Sequence, residues 1–283
     1  MSITVNTNIP SLTAQASLNK ATNAMNTAMQ RMSTGLKINS SKDDAAGMAV
    51  ANKLDYKVSS LKVAQDNAQM GSSMLDTMEG VMGVINDNLT RIRDLTEQAA
   101  NGTYGSDAIG AIKTEINSRL SEIDRVAKSA EFNGKKLLDG TTTSVTLQVG
   151  IEAAPTSGTN NSVITLGSEV FQNSTRAGLG LSTDVPSNWT DTAARGYLAT
   201  VDSAIASVTN AMTAIGGKQA AISSAMESAQ VMATNLTSAS SLIKDADIAE
   251  ESSNYIKQQI LQQTSASLLA TANQAPSIAL NLV

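Results

Sequence analysis

The sequence predicts a mainly α fold: a long antiparallel helical bundle or coiled-coil rod with a small β-hairpin region in its middle. Apolar residues recur every seven positions over more than 40 residues in one segment and again over a second long segment. Only 2% of residues are aromatic and four are Pro, so the apolar surface is built from Ala, Leu, Ile, Val and Met with few helix breaks. Between the two periodic halves lies a stretch rich in Gly, Ser, Thr and Asn with short strand-like alternation.

The first helix carries Leu18, Met25 and Met32 seven apart, with Ala21, Ala28 and Met29 beside them. In the second, Leu54, Leu61, Ala68, Leu75, Met82 and Leu89 form one series. Ala64, Gly71, Met78, Ile85, Ile92 and Ala99 form a parallel one, with Gly71 its weak member. These are the a and d positions of a helix roughly 70 Å long, at 1.5 Å per residue. Two glycines and several turn residues between Asn101 and Asp107 end it, and Ser106 or Asp107 is placed to cap the next helix. Ile109, Ile116, Ile123 and Ala130 then mark a shorter helix running back along it.

From about Phe132 to Asp191 the pattern changes. Val145, Leu147 and Val149 alternate with polar residues, and Val163, Ile164 and Leu166 mark a second strand. The segment is too short for a large independent domain and reads as hairpin and loop capping the helices. Val201, Val208, Ile215, Ile222, Ala229, Leu236 and Ile243 restore the heptad in a long helix, with Gly216-Gly217 marking a kink or a close helix approach. A last stripe runs through Tyr255, Ile256, Ile260, Leu261, Leu268, Leu269, Ala272 and Ala275. Pro276 disrupts it, and an uncharged apolar end, Ser277 to Val283, follows.

Composition narrows function sharply. The 283 residues contain no His and no Cys. Disulfides, thiol nucleophiles, Cys/His zinc sites and Ser-His-Asp triads are excluded. No cofactor is expected. The 20 basic and 25 acidic residues leave a net charge of −5, against a dedicated nucleic-acid binder. No apolar run of about 18 residues is present, so no membrane span is expected. The segment beginning Met1-Ser2-Ile3 has neither basic nor apolar signal-peptide regions. Asp43-Asp44 and the Asp245/Asp247 pair are not read as metal or acid–base sites, since no Gly follows in calcium-loop spacing, and Asp245 and Asp247 are expected to face solvent or a basic neighbour. Sequons ending at Ser162, Thr175 and Thr190 are expected from composition.

Four blocks resemble bacterial flagellin, the subunit family of the flagellar filament. They are Ile3 to Asn8, Gln30 to Ser40 continuing through Lys42-Asp43-Asp44-Ala45-Ala46-Gly47-Met48, Phe132 to Leu138, and Ala272-Asn273-Gln274-Ala275-Pro276. The likeness covers about residues 1–140 and 190–283. It implies a structural, non-enzymatic filament subunit supporting motility, with a short central region in place of large outer domains. A hook–filament junction protein is the alternative. The resemblance also implies a terminal domain from about 1–44 and 240–283 that lines the filament core, and a second domain over 45–239 that includes the 132–191 segment.

The terminal segments are short and have little intramolecular cover. Ordering backbone costs about 1–2 kcal/mol per residue, against roughly 1.5–3 kcal/mol for each Leu or Ile buried. These ends are therefore expected to be disordered in the monomer and to fold on assembly. Leu18, Met25, Met32, Ile256, Ile260, Leu268 and Leu269 are the expected assembly residues, whereas the long heptads are assigned to intramolecular core.

The resemblance further implies unfolded export through a type III channel without a cleaved signal peptide, giving an extracellular filament. It implies an export chaperone on the stripe from Tyr255 to Leu269, and cap and hook-junction partners. It places Arg91, Leu95 and Glu115 at positions contacted by a Toll-like receptor. Leu95 lies outside both heptad series and is expected to be exposed.

Overall fold

A computed structural model of the chain describes residues 7–152, 161–181, 185 and 189–280, with backbone only over 275–280. Five helices dominate: α1 (Ile9–Thr34), α2 (Ala45–Ala99), α3 (Ser106–Ser129), α4 (Asp191–Lys244) and α5 (Ile248–Leu280). Two hairpins lie between α3 and α4. Strands β1 (Glu131–Phe132) and β2 (Lys135–Lys136) form the first, and β3 (Val145–Gln148) and β4 (Val163–Leu166) the second. The chain divides into two compact units, Met1–Val58 with Thr234–Val283, and Ser59–Ala233. These boundaries fall inside α2 and α4, later in the chain than the expected 44/45 division and earlier than the expected 239/240 division.

Unit Ser59–Ala233 holds a continuous core. Both heptad series of α2 are buried from Leu61 to Ala99, and so are Ile116, Leu120 and Ile123 of α3 and the α4 series from Val201 to Ala229. Pairing of Arg91 with Glu115 and of Asn88 with Arg119 shows that α3 runs antiparallel to α2. The cap of α3 differs from expectation. Gly105 is its N-cap, Ser106 is its first residue, and neither Ser106 nor Asp107 caps it. Gly105 sits there in an extended conformation (φ −75°, ψ 169°), which puts Asp107 in the first turn. A carboxylate there meets the positive end of the helix dipole.

The first hairpin is made by its turn. Asn133 (φ 47°) and Gly134 (φ 79°) occupy left-handed conformations, and Glu131 pairs with Lys136 and Phe132 with Lys135. Asn-Gly is the pair that a two-residue hairpin turn of this hand demands. The second hairpin pairs Val145 with Leu166 and Gln148 with Val163, and Leu147 seats over Gly71 of α2. A Cβ at Gly71 would strike the Leu147 side chain, so the weak heptad member is where the hairpin approaches the helix.

The central segment does more than cap. Leu137, Leu138, Leu166, Val170, Phe171 and Trp189 join the same core cluster as α2, α3 and α4. Gly216 and Gly217, by contrast, have no atom within 4 Å of where a Cβ would sit, and α4 passes through them unbroken. The expected kink or close approach is absent there.

In the unit Met1–Val58 with Thr234–Val283, α1 and α5 pair antiparallel. Asn8 meets Ala272, Thr22 meets Gln262 and Arg31 meets Glu251. Ala21 and Ala28 are the buried residues of α1. Leu18, Met25 and Met32 share their face and are half-buried. Gly35 ends α1 in the left-handed conformation (φ 70°), with its N–H on the Arg31 carbonyl. Asp44 and Asp247 act as helix caps. Asp44 accepts from Gly47 N in the first turn of α2, and Asp247 accepts from Ala249 N and Glu250 N in the first turn of α5.

Pro276 does not end α5, which continues to Leu280. Its fixed φ is compatible with a helix, but a Pro inside one forfeits a ladder bond and crowds the carbonyl four residues earlier. The Ile3 to Asn6 part of the N-terminal block, and Val283 with its two preceding residues, lie outside the described residues.

Candidate functional site

The unit formed by the two chain ends is short of core. Among the described residues it buries only four apolar side chains, Ala21, Ala28, Ile38 and Ala51. Eleven large apolar residues of the same unit are exposed, against six in the larger unit Ser59–Ala233. The long seams show the same change along a single stripe. Leu61 is buried whereas Leu54 is half-exposed, and Ala229 is buried whereas Leu236 and Ile243 are half-exposed. The apolar phase continues, but the cover stops.

The expected assembly residues separate into two sets. Leu18, Met25, Met32 and Leu269 are half-buried. Ile256, Ile260 and Leu268 are 52%, 58% and 57% exposed. Ile9 and Leu12 of α1 and Leu261 of α5 are also exposed. A groove of about 720 Å³ runs between Ile9, Thr13 and Ser17 on one side and Leu261, Ser265 and Leu268 on the other.

Polar contacts set the geometry where these helices turn. Lys37 N donates to Lys244 O at 2.6 Å and Ala246 N to Gly35 O at 2.9 Å, so the turn after α1 pairs with the turn before α5. Leu36 and Asp245 form the β-bridge between them. Arg31 Nη1 donates to Glu251 Oε1 at 3.0 Å, and Glu251 is buried. Asp55 accepts from Ser240 Oγ at 2.7 Å and from Lys244 Nζ at 2.9 Å. The Ser240 hydroxyl first, and Lys244 next, hold the Asp55 carboxyl below its usual range. Asp43 is held low in the same way by Ser40 N and Asn39 N. These carboxylates are therefore structural. Among the described residues no group of three or more His, Cys, Asp or Glu could hold a metal ion, and no helix is long and apolar enough to cross a membrane.

In the other unit, Arg91 Nε donates to Glu115 Oε1 at 2.9 Å on an exposed surface. That bond, then the Glu115 charge, raises the Arg91 pKa. Leu95 corrects the expectation of exposure: it is 2% exposed and belongs to the core cluster. Leu95 lies four residues beyond Arg91 and three beyond Ile92, and this places it at the edge of the buried a/d face. Ser162 and Thr175 of the sequons are buried, and Asn173 Oδ1 is engaged by Thr175. Asn160 and Asn188 lie outside the described residues.

Comparison with known proteins identifies the family. A model of the bacterial flagellin N-terminal helical region matches residues 5–143, and one of the flagellin C-terminal helical region matches 198–283. The chain belongs to the bacterial flagellin family. It is 36% identical to a flagellin of Xenorhabdus nematophila over the whole of both chains. It is 32% identical to a flagellin of Listeria innocua, covering 99% of each. A solved flagellar hook-associated protein from Vibrio parahaemolyticus shares the fold alone, at 17% identity and a TM-score of 0.56, covering 71% of this chain and 99% of that one. As a flagellin, the chain is a structural subunit that polymerises into the extracellular flagellar filament. The described parts of the blocks that carried the resemblance fall just before α1, from the end of α1 through its turn into the start of α2, at the first hairpin and in α5.

Proposed function

We propose that the unit formed by the two chain ends is the polymerisation element of this flagellin, and that it becomes fully ordered only between subunits. The observation that carries this reading is the contrast, among the described residues of that unit, between four buried apolar residues and eleven exposed large ones. Exposed Ile256, Ile260 and Leu268 make the intersubunit contacts. Half-buried Leu18, Met25, Met32 and Leu269 hold α1 against α5. Burying each exposed Ile or Leu in a neighbour is worth roughly 1.5–3 kcal/mol. That gain offsets the ordering cost the isolated ends cannot meet. An open helical polymer needs such heterologous contacts. The chain works by packing, without catalysis or a cofactor.

Hydrogen exchange on monomer and seeded filament tests the reading. Amides of 9–34 and 248–280 exchange fast in the monomer and slowly in the filament. Strong protection of these ends in the monomer overturns it.

The same apolar stripe supports export in an unfolded form with a chaperone held on Tyr255 to Leu269. Cap and hook-junction proteins meet the same terminal unit at either end of the filament. Recognition by a Toll-like receptor would rest on the exposed Arg91–Glu115 pair, with Leu95 acting from beneath it by holding the helix surface. In a cell reporter assay on monomers, Arg91→Ala lowers the response. An unchanged response rejects the receptor reading.

A further inference from the structure

Asn8 belongs to one terminal sequence block and Ala272 to another, and they are 264 positions apart. In a helix each N–H donates to the carbonyl four residues earlier. Pro276 has no N–H. Ala272 O therefore has no ladder donor, although α5 continues to Leu280. Asn8 Nδ2 donates to this same oxygen at 2.7 Å. Asn8 Oδ1 accepts from Ser11 N at 3.1 Å and so caps α1. Beside it, Ser11 Oγ donates to Asn273 Oδ1 at 2.7 Å.

We propose that Asn8 is a positioning residue that closes both terminal helices at once, capping α1 and replacing the hydrogen bond that Pro276 removes from α5. The two tasks need opposite hydrogen-bonding groups on one short side chain. Asp offers only acceptors, and Ser or Thr has one oxygen that cannot reach both places. Asn alone among the good N-caps carries an acceptor and an amide donor on one carbon. The orientation of the amide is dictated by its neighbours, because the reverse flip would face oxygen with oxygen and N–H with N–H. The first turn of α1 and the last turns of α5 consequently form together. This rests on the polymerisation reading above, since the unit so closed is the one proposed to order in the filament.

The test is a double-mutant cycle on the full chain, read as the critical concentration for seeded polymerisation. Asn8→Asp keeps the cap and removes the donor. Pro276→Ala returns an N–H to the α5 ladder and makes the Asn8 donor redundant. Asn8→Asp is expected to raise the critical concentration about three- to tenfold, as for a hydrogen bond lost from an otherwise unpaired carbonyl. In the Pro276→Ala background the same substitution changes it by about twofold or less. Hydrogen exchange in the filament gives the second readout: Asn8→Asp speeds exchange at 277–280, and Pro276→Ala restores protection. Equal losses in both backgrounds, no loss in either, or failure to polymerise in both would overturn the role of Asn8. A wild-type chain that does not polymerise from seeds counts instead against the polymerisation reading. Circular dichroism of the monomers checks that the fold of 59–233 is unchanged throughout.

Discussion

Tyr197 carries the clearest single-residue consequence. Its hydroxyl is buried with no hydrogen-bond partner, and its ring meets Trp189 edge-on at 6.0 Å. Burial pushes its pKa up to about 12, opposed only by the Arg176 charge. Between pH 10 and about 12 the unfolded phenol is ionised while the native one is held neutral. The native state then binds more protons, so stability falls as pH rises through that window. Tyr197→Phe removes both the unpaired hydroxyl and this titration. It is expected to stabilise the protein by about 1 kcal/mol in denaturant unfolding at pH 7 and to lose less stability at pH 11.

Asp55 behaves with the opposite sign. Its pKa is lowered in the folded state, so the stability it contributes is present above the ordinary carboxylate range and is lost as pH falls through the lowered value. Asn at this position still accepts from Ser240 but loses the attraction to Lys244. Asp55→Asn is therefore expected to raise the critical concentration at pH 7 and to flatten part of its rise as pH falls below the ordinary carboxylate range. A pH series of seeded polymerisation measures both effects.

At the scale of elements, one apolar period serves two purposes. Leu89 and Ile256 both sit on helical stripes, yet Leu89 is fully buried and Ile256 is 52% exposed. Leu89→Ala is expected to cost the monomer about 2–5 kcal/mol. Ile256→Ala should change monomer unfolding by less than about 0.5 kcal/mol. Its effect appears in assembly instead, as a critical concentration raised about tenfold, corresponding to about 1.4 kcal/mol of lost burial. Thermal unfolding of the monomer and seeded polymerisation separate the two residues. The first hairpin teaches a different lesson. Asn133-Gly134 between Phe132 and Lys135 is a strong local turn signal, carried by two residues alone.

For the whole molecule, the decisive feature is uneven cover. Unit Ser59–Ala233 is contiguous in sequence and holds the core, whereas the other unit draws on both ends of the chain. Limited proteolysis of the monomer is expected to trim both ends and leave a resistant fragment close to 59–233. In the filament the intact chain should resist. Mass spectrometry of the digests reads the boundaries, and a monomer whose ends resist equally contradicts the proposed ordering on assembly.

Several features were legible in the residues because they are properties of one segment. Seven-residue periods placed four helices and a helical stripe the fifth, since residues at such spacings share a face wherever the helix lies. The alternation at Val145 and Val163 located the larger hairpin, and the terminal blocks pointed to the family. Other features required the chain's distant parts to meet. Period alone assigned Leu95 to the surface, but the packed neighbours of α2 bury it. Pro276 reads locally as a helix stop, yet a donor from Asn8 reaches the carbonyl it leaves open. Leu54, Leu236 and Ile243 continue buried stripes into a region where none of the described residues fully covers them. The sequence by itself determined which residues share a face. Only the tertiary structure decided what covers that face, because burial and hydrogen-bond pairing depend on atoms brought together across hundreds of residues.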